Sequence, residues 1–193
     1  MGEDPLFGET VTAALRLAAA ERVTGTPLTT GRVLSALARV DMTNDWQRIW
    51  LHTGDPVLTG LADAPDPADA PLRASGPQAV RDGRQWEGVP VSGCLARALT
   101  LLKRICARYR LVPAPSGAMA LALLADPASG ATRALRRPGR LSHEDLLELI
   151  QSDLLDTTLV GVGDLIAASN SRAGNGQAVT PAAPLPAVPA STD

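Results

Sequence analysis

The sequence predicts an all-α protein built from two related helical repeats. Two segments recur along the chain at a nearly constant offset, and apolar residues recur at the three- and four-residue intervals of an amphipathic helix. Hydrophobic residues make up 45 % of the 193 residues and aromatic residues only 3 %. Ala, Leu and Val must therefore form most of the core, which suits closely packed helices better than sheets.

The repeat has two matching parts in each copy. Phe7–Leu17 matches Val91–Leu101 at an offset of 84 positions, and Pro27–Leu37 matches Pro113–Leu123 at an offset of 86 positions. Each copy of such a repeat is one supersecondary unit that needs a neighbour to bury its apolar face. We therefore expect one domain over residues 6–156 in which the two copies pack together.

The first copy, residues 6–52, contains three predicted helices. Gly25 and Pro27 end the first of them, and Thr29 or Thr30 supplies the N-cap of the second. The expected helices cover residues 9–23, 30–40 and 45–51.

A long connector, residues 53–90, separates the copies. It contains turn-forming segments such as residues 63–67 and 75–77, which disfavour long helices. We expect the first copy's fourth helix to be lost into this connector. Trp86 and Val89 are expected to attach its end to the core.

The second copy, residues 91–156, contains four predicted helices. Ser92 or Gly93 is expected to cap the first, Ser116 the second and Ser142 the fourth, which has acidic residues in its first turn. The expected helices cover residues 94–110, 118–124, 128–136 and 144–153. Residues 169–193 are rich in Gly, Ala and Pro and are predicted to form a disordered tail.

The charge of the chain excludes several kinds of partner. With 18 basic and 20 acidic side chains the net charge is −2, so neither a nucleic acid nor an anionic membrane is an expected partner.

Residues 1–5 are acidic and the apolar runs are short, so neither a signal peptide nor a membrane span is expected. On one helix, Cys94 and Cys106 would lie about 18 Å apart, too far for a disulfide. These features favour a cytoplasmic protein.

No residue pattern indicates catalysis, a metal or a cofactor. His52 and His143 have no partner at ligand spacing, and neither do Cys94 and Cys106. Neighbouring residues on a helix point in different directions, so Ser142, His143 and the acids after them cannot form a catalytic triad. A helix N-cap followed by an acidic first turn explains that segment. We expect no enzymatic activity.

The order of the motifs in each copy is similar to that of a known family. An aromatic or apolar residue precedes a Leu-x-Leu helix, and a Thr/Ser-Gly pair then precedes an Ala- and Leu-rich helix, in Thr29–Leu37 and Pro115–Leu123. This arrangement resembles the Clp N-terminal domain, the pseudo-two-fold helical module of Clp-type AAA+ unfoldases. The resemblance covers residues 6–52 and 91–156. No phosphate-binding loop of the type Gly-x₄-Gly-Lys-Ser/Thr occurs, so the chain looks like a stand-alone member without the ATPase modules.

The resemblance also implies a change at the family's ligand site. In the family a Thr-Glu pair in each repeat helps to bind phosphorylated arginine, and the glutamate engages the guanidinium. Here Thr30 and Ser116 keep the hydroxyl, which also serves as a helix cap, but Gly31 and Gly117 replace the glutamate. Glycine cannot make the bidentate contact of a carboxylate, so arginine-phosphate binding is not expected in either copy.

The implied function is binding of a protein or peptide. The chain would be an accessory or decoy of Clp-dependent proteolysis that captures an unfoldase, an adaptor, a degron or a cyclic peptide. A small DNA-binding regulator and a scaffold for a dedicated partner are the alternatives. Trp46 and Trp50 could form a partner patch or belong to the core. The candidate contact residues are Phe7, Thr30, Gly31, Arg32, Trp46, Trp50, Ser116 and Gly117.

Overall fold

A computed structural model of the chain describes residues 6–41, 45–55, 60–67, 85–136, 141–155 and 159–174. The described residues form eight α-helices, one short 3₁₀ helix and one two-stranded antiparallel hairpin, which confirms the all-α class. None of these helices is long and apolar enough to cross a membrane. The helices are α1 (Glu9–Ala20), α2 (Thr30–Val40), α3 (Asp45–Thr53), α4 (Gly93–Tyr109), α5 (Ser116–Leu124), α6 (Gly130–Leu135), α7 (His143–Leu154) and α8 (Val162–Gly174).

The connector carries the remaining elements. The 3₁₀ helix covers Leu61–Asp63, and the hairpin pairs β1 (Gln85–Trp86) with β2 (Val89–Pro90). Trp86 and Val89 are half-buried and pack against the core, as predicted. In place of a fourth helix of the first copy, the 3₁₀ helix is the only helical element after α3 in the described part of the connector.

The helix α5 lies at the centre of the core. All of its residues from Gly117 to Leu124 are buried, and it packs against α1, α2, α4, α6 and α7. A helix that is apolar on every side is stable only when other elements surround it. The other helices bury one face each: α1 packs on α2, α3 on α7, and α8 on α4.

Because α5 is surrounded, its last carbonyl groups also need buried partners. The hydroxyl of Thr132 donates to the carbonyl of Leu124 over 3.0 Å, and Nε2 of His143 lies 2.7 Å from the same oxygen. The side-chain amide of Asn170 donates to the carbonyl of Ala125 over 3.0 Å. Three later elements therefore satisfy the C-terminal end of α5.

Two isolated parallel bridges join the segment before α1 to the one before α5, and the segment before α2 to the one before α4. Phe7 pairs with Ala114, and Leu28 pairs with Val91. Val91 lies 84 positions after Phe7, and Ala114 lies 86 positions after Leu28, which are the two offsets of the sequence repeat. The same backbone hydrogen bond accompanies each bridge: Leu28 N–H to Pro90 O, 2.8 Å, and Ala114 N–H to Leu6 O, 2.8 Å.

Several predicted helix boundaries are confirmed and others are wrong. Ser142 caps α7 through Asp145 N–H at 3.0 Å, and Ser92 caps α4. In contrast, Ser116 is the first residue of α5 and makes no capping bond, because Pro115 occupies the N-cap position. The first helix ends at Ala20 rather than near Val23. Val23 is 64 % exposed, so the three further residues would have no core to contact.

The helix α8 lies beyond residue 156, the predicted end of the domain, and it includes the first six residues of the tail predicted to start at Ser169. The helix α8 continues to Gly174 and belongs to the core through Val162 and Ile166. The hydroxyl of Tyr109 donates to the carbonyl of Val160 over 2.8 Å, which attaches the start of this segment to α4. The rest of the predicted tail, residues 175–193, lies outside the described residues.

Candidate functional site

A cavity of about 370 Å³ lies between the start of α2, the segment before α4 and residues 60–67, which we call the strap. Its walls combine apolar and polar groups. Val23, Pro27, Ala62 and Val91 contribute apolar surface. Among the described residues, three charged side chains line it: Arg32, Asp63 and Asp66.

Asp66, in the strap, makes the densest set of polar contacts in this region. Its Oδ2 accepts the backbone N–H of Thr30 over 2.9 Å and also the hydroxyl of Ser92. Its Oδ1 accepts the hydroxyl of Thr30 over 2.5 Å and the backbone N–H of Gly130 over 2.8 Å. One carboxylate therefore joins the starts of α2, α4 and α6. Charge-assisted hydrogen bonds of this kind are stronger than neutral ones.

The two hydroxyl groups are oriented by their other hydrogen bonds. The Thr30 oxygen accepts the backbone N–H of Ala131 over 3.2 Å, and the Ser92 oxygen accepts that of Leu95 over 3.1 Å as the N-cap of α4. Each hydroxyl group thus accepts a hydrogen bond from a helix N–H group and donates its own hydrogen to Asp66. The N-cap of α2 is Thr29, so the role of Thr30 is to hold the strap.

Arg32 brings the positive charge of the cavity. Its side chain is 18 % exposed. Nη1 donates to the carbonyl of Glu21 over 2.6 Å, and Nη2 lies 3.4 Å from Oδ1 of Asp63. Asp63 is 88 % exposed, so this ion pair is weak. Glu21 is engaged by Arg39, whose hydrogen bonds lower the pKa of the Glu21 carboxyl. The charge of Arg32 also lowers the pKa of the Glu21 carboxyl, and its guanidinium lies at the wall of the cavity.

Gly31 and Gly117 are positions of close backbone approach. A Cβ on Gly31 would overlap the carbonyl oxygen of Leu61 in the strap, and a Cβ on Gly117 would lie 2.6 Å from the carbonyl oxygen of Leu154 at the end of α7. Both glycines are buried. The space that a glutamate would need at each position is filled by backbone, so neither glycine presents a contact surface.

The tryptophan pair belongs mainly to the core. Trp46 is 2 % exposed, and its indole N–H donates to Oδ2 of Asp41 over 3.2 Å. Trp50 is half-buried and stacks on Trp46, with ring centroids 5.3 Å apart. The burial of Trp46 favours the core alternative for this residue, because its neighbours cover the ring.

The predicted contact residues do not converge on one site. Thr30, Gly31 and Arg32 lie at the start of α2 beside the cavity, whereas Ser116 and Gly117 lie at the start of α5, under the end of α7. Phe7 is half-buried and lines a separate cavity of about 640 Å³ along α1.

No reactive or metal-binding group stands out in the described part of the chain. Among those residues, no three His, Cys, Asp or Glu side chains are placed to hold a metal ion. Cys94, close to Asp66, is 3 % exposed. Its burial, with the negative charge of Asp66 as a second cause, raises the pKa of the thiol to about 12. The thiolate needed for nucleophilic chemistry is therefore scarce at neutral pH.

The sequence patterns do not identify Asp66 as a site residue, although they predict turns in the segment of residues 63–67 that contains it. The pattern Asp63-Ala64-Pro65-Asp66-Pro67 reads as a turn. The donors to Asp66 lie 36, 26 and 64 positions away, so no local spacing indicates them. No family model, no curated protein and no solved structure matches the chain.

Proposed function

We propose that the chain is a non-enzymatic binding module for a protein or peptide, similar in architecture to the Clp N-terminal domain, with two repeats related by a pseudo-two-fold axis. It would act as an accessory or decoy in Clp-dependent proteolysis and capture an unfoldase, an adaptor or a degron. Its two cysteines are free and buried, which suits the reducing cytoplasm expected for it.

The observation that carries this proposal is the reciprocity of the two bridges. An axis that exchanges the copies would move Phe7 onto Val91 and Leu28 onto Ala114. The axis would therefore place the Phe7–Ala114 bridge on the Leu28–Val91 bridge. Contacts across a two-fold interface occur in such equivalent pairs. The equal hydrogen bonds at the two bridges agree with this relation.

The composition of the strap cavity supports binding rather than chemistry. A volume of about 370 Å³ accommodates a few side chains of a peptide, near the lower limit for small-molecule pockets. Apolar walls from Val23, Pro27 and Val91 supply burial, and Arg32 supplies one charged contact at the wall. We infer that a partner inserts an apolar segment there.

The close packing of Gly31 and Gly117 argues for a ligand other than phosphorylated arginine. The carboxylate that would engage a guanidinium has no room at either position. The proposed module therefore keeps the family's architecture and differs in what it recognises.

The proposal is tested with the full chain immobilised and offered a purified Clp unfoldase, its adaptors and degron peptides. Val23→Arg places a charge at the wall of the cavity, and Val160→Arg is the matched control. Both valines are exposed, at 64 % and 82 %, and only Val23 lines the cavity. We expect binding that Val23→Arg reduces at least tenfold and Val160→Arg leaves unchanged. The absence of binding to all of these ligands contradicts the proposal.

A further inference from the structure

The contacts of Asp66 have the geometry of a ligand in a binding site. Its four donors are two backbone N–H groups and two hydroxyl groups, and all four belong to the helical body of the domain. The acceptor alone comes from the strap. The hydroxyl-bearing residues are themselves covered, since Thr30 is fully buried and Ser92 is 7 % exposed.

The two hydroxyl donors are oriented by groups outside the strap. The Thr30 hydroxyl is oriented by the N–H of Ala131, and the Ser92 hydroxyl by the N–H of Leu95. The backbone N–H groups belong to the first residues of α2 and α6, where no carbonyl of the same helix can accept them. Without the carboxylate, this buried group of donors would lose its acceptors, which is unfavourable. The four donors therefore suit an oxyanion.

The strap is held in the body at other points as well. Leu61 is fully buried at its start, and Nη2 of Arg133 donates to the carbonyl of Pro65 over 2.6 Å. Pro65 and Pro67 are exposed on either side of Asp66, whose side chain is only partly buried. The carboxylate thus enters the site from the surface, as a bound molecule would.

We propose that the hydroxyl and N–H groups around Asp66 form a carboxylate-binding site, which the chain keeps closed with its own aspartate. Asp66 lines the cavity in which we place the partner. The relevance of this site to binding therefore rests on the proposed function. While Asp66 occupies this site, the apolar wall and Arg32 are the parts of the cavity left for a partner. An acidic group of the partner would have to displace the Asp66 carboxylate to reach the four hydrogen-bond donors.

The test is chemical rescue of Asp66→Gly by formate, a carboxylate small enough for the vacated position. Thermal unfolding of the full chain is followed in sodium formate and in sodium chloride of equal concentration. We expect a lowered Tm for Asp66→Gly that formate raises saturably, by about 3–6 °C at ten times its dissociation constant. Wild type should respond equally to the two salts. Adding Thr30→Val, which removes one donor, should abolish the formate effect.

Asp63→Gly is the matched control, because Asp63 lies on the same strap and is 88 % exposed. It should show no preference for formate. Equal behaviour of Asp66→Gly in formate and chloride overturns the inference. If this variant is unfolded in chloride, recovery of its folded state in formate supports the inference and failure to recover overturns it. No partner is used, so a failed rescue leaves the binding proposal standing, and a failed partner assay leaves the carboxylate site standing.

Discussion

Gly31 at the start of α2 lies directly against the backbone carbonyl of Leu61, with no space for a side chain between them. The equivalent residue of the second repeat, Gly117, has the same relation to the carbonyl of Leu154. In each case the start of a helix packs against backbone from a later part of the chain. The two glycines are therefore explained by packing. They occupy the positions at which the proposed Clp resemblance would place a ligand-binding acid.

Gly31→Ala is expected to lower the free energy of unfolding by about 1–3 kcal/mol, because the added methyl group forces the strap away from α2. Gly163→Ala is the matched control, since a Cβ at that helical position meets nothing within 4 Å. It should leave stability unchanged or raise it by up to about 1 kcal/mol. Urea unfolding followed by circular dichroism measures both. Equal stability of Gly31→Ala and wild type would show that the strap adapts freely.

Gly31→Glu introduces the acid that the proposed Clp resemblance places at this position, and it should nevertheless fail to create an arginine-phosphate site. The larger side chain has to displace Leu61, which is fully buried, so we expect loss of the folded state rather than gain of binding. Circular dichroism reports the folding, and calorimetric titration with free phosphoarginine reports the binding. A folded Gly31→Glu variant that binds phosphoarginine would contradict our account of this position.

Trp46 and Trp50 should differ strongly when each is replaced by alanine. Trp46→Ala removes a side chain that is 2 % exposed together with its hydrogen bond to Asp41, at a cost of about 3–5 kcal/mol. Trp50→Ala removes a half-buried ring and should cost less than half as much. Chemical unfolding of the two variants measures the difference. A stable, folded Trp46→Ala variant that loses a partner would restore the interface interpretation.

Cys94 should resist alkylation in the folded protein and destabilise it at alkaline pH. Burial raises its pKa from 9.0 to about 12, so the unfolded chain loses this proton at lower pH than the folded one. The folded state binds more protons between pH 9 and 12, and its stability therefore falls as the pH rises through that window. Cys94→Ala should reduce this dependence. Labelling of Cys94 by iodoacetamide at pH 8 without denaturant, at the rate of a free thiol, would contradict the prediction.

Replacement of each of the two histidines by alanine should affect stability differently, because their contacts differ. His143→Ala removes the hydrogen bond to the carbonyl of Leu124 at the end of α5, and we expect a loss of about 1 kcal/mol. His52→Ala changes an exposed side chain on α3 and should have no measurable effect. Thermal unfolding at pH 8 compares them with wild type. Equal stability of the two variants would mean that Thr132 satisfies that carbonyl alone.

Local chemistry accounts for the parts of the fold that the sequence predicted. Ser142 and Asp145 lie three residues apart and form a capping box, which is readable from spacing alone. The helix α8 was missed because its Gly-, Ala- and Ser-rich sequence resembles a flexible tail. Its contact to the core through Asn170 reaches back 45 positions to Ala125. A weakly helical segment becomes a helix there because the core offers it a partner.

The sequence by itself determined the helical class and most helix boundaries to within about two residues, since both depend on residues within one or two turns of one another. The two offsets of the repeat can be read directly from the sequence. The tertiary structure decided what the repeated positions do. Gly31 and Thr30 are adjacent in a motif that suggests ligand binding, yet one contacts Leu61 and the other holds Asp66. Those contacts span 30 and 36 positions of the chain. Only the folded chain brings such groups within hydrogen-bonding and van der Waals distance.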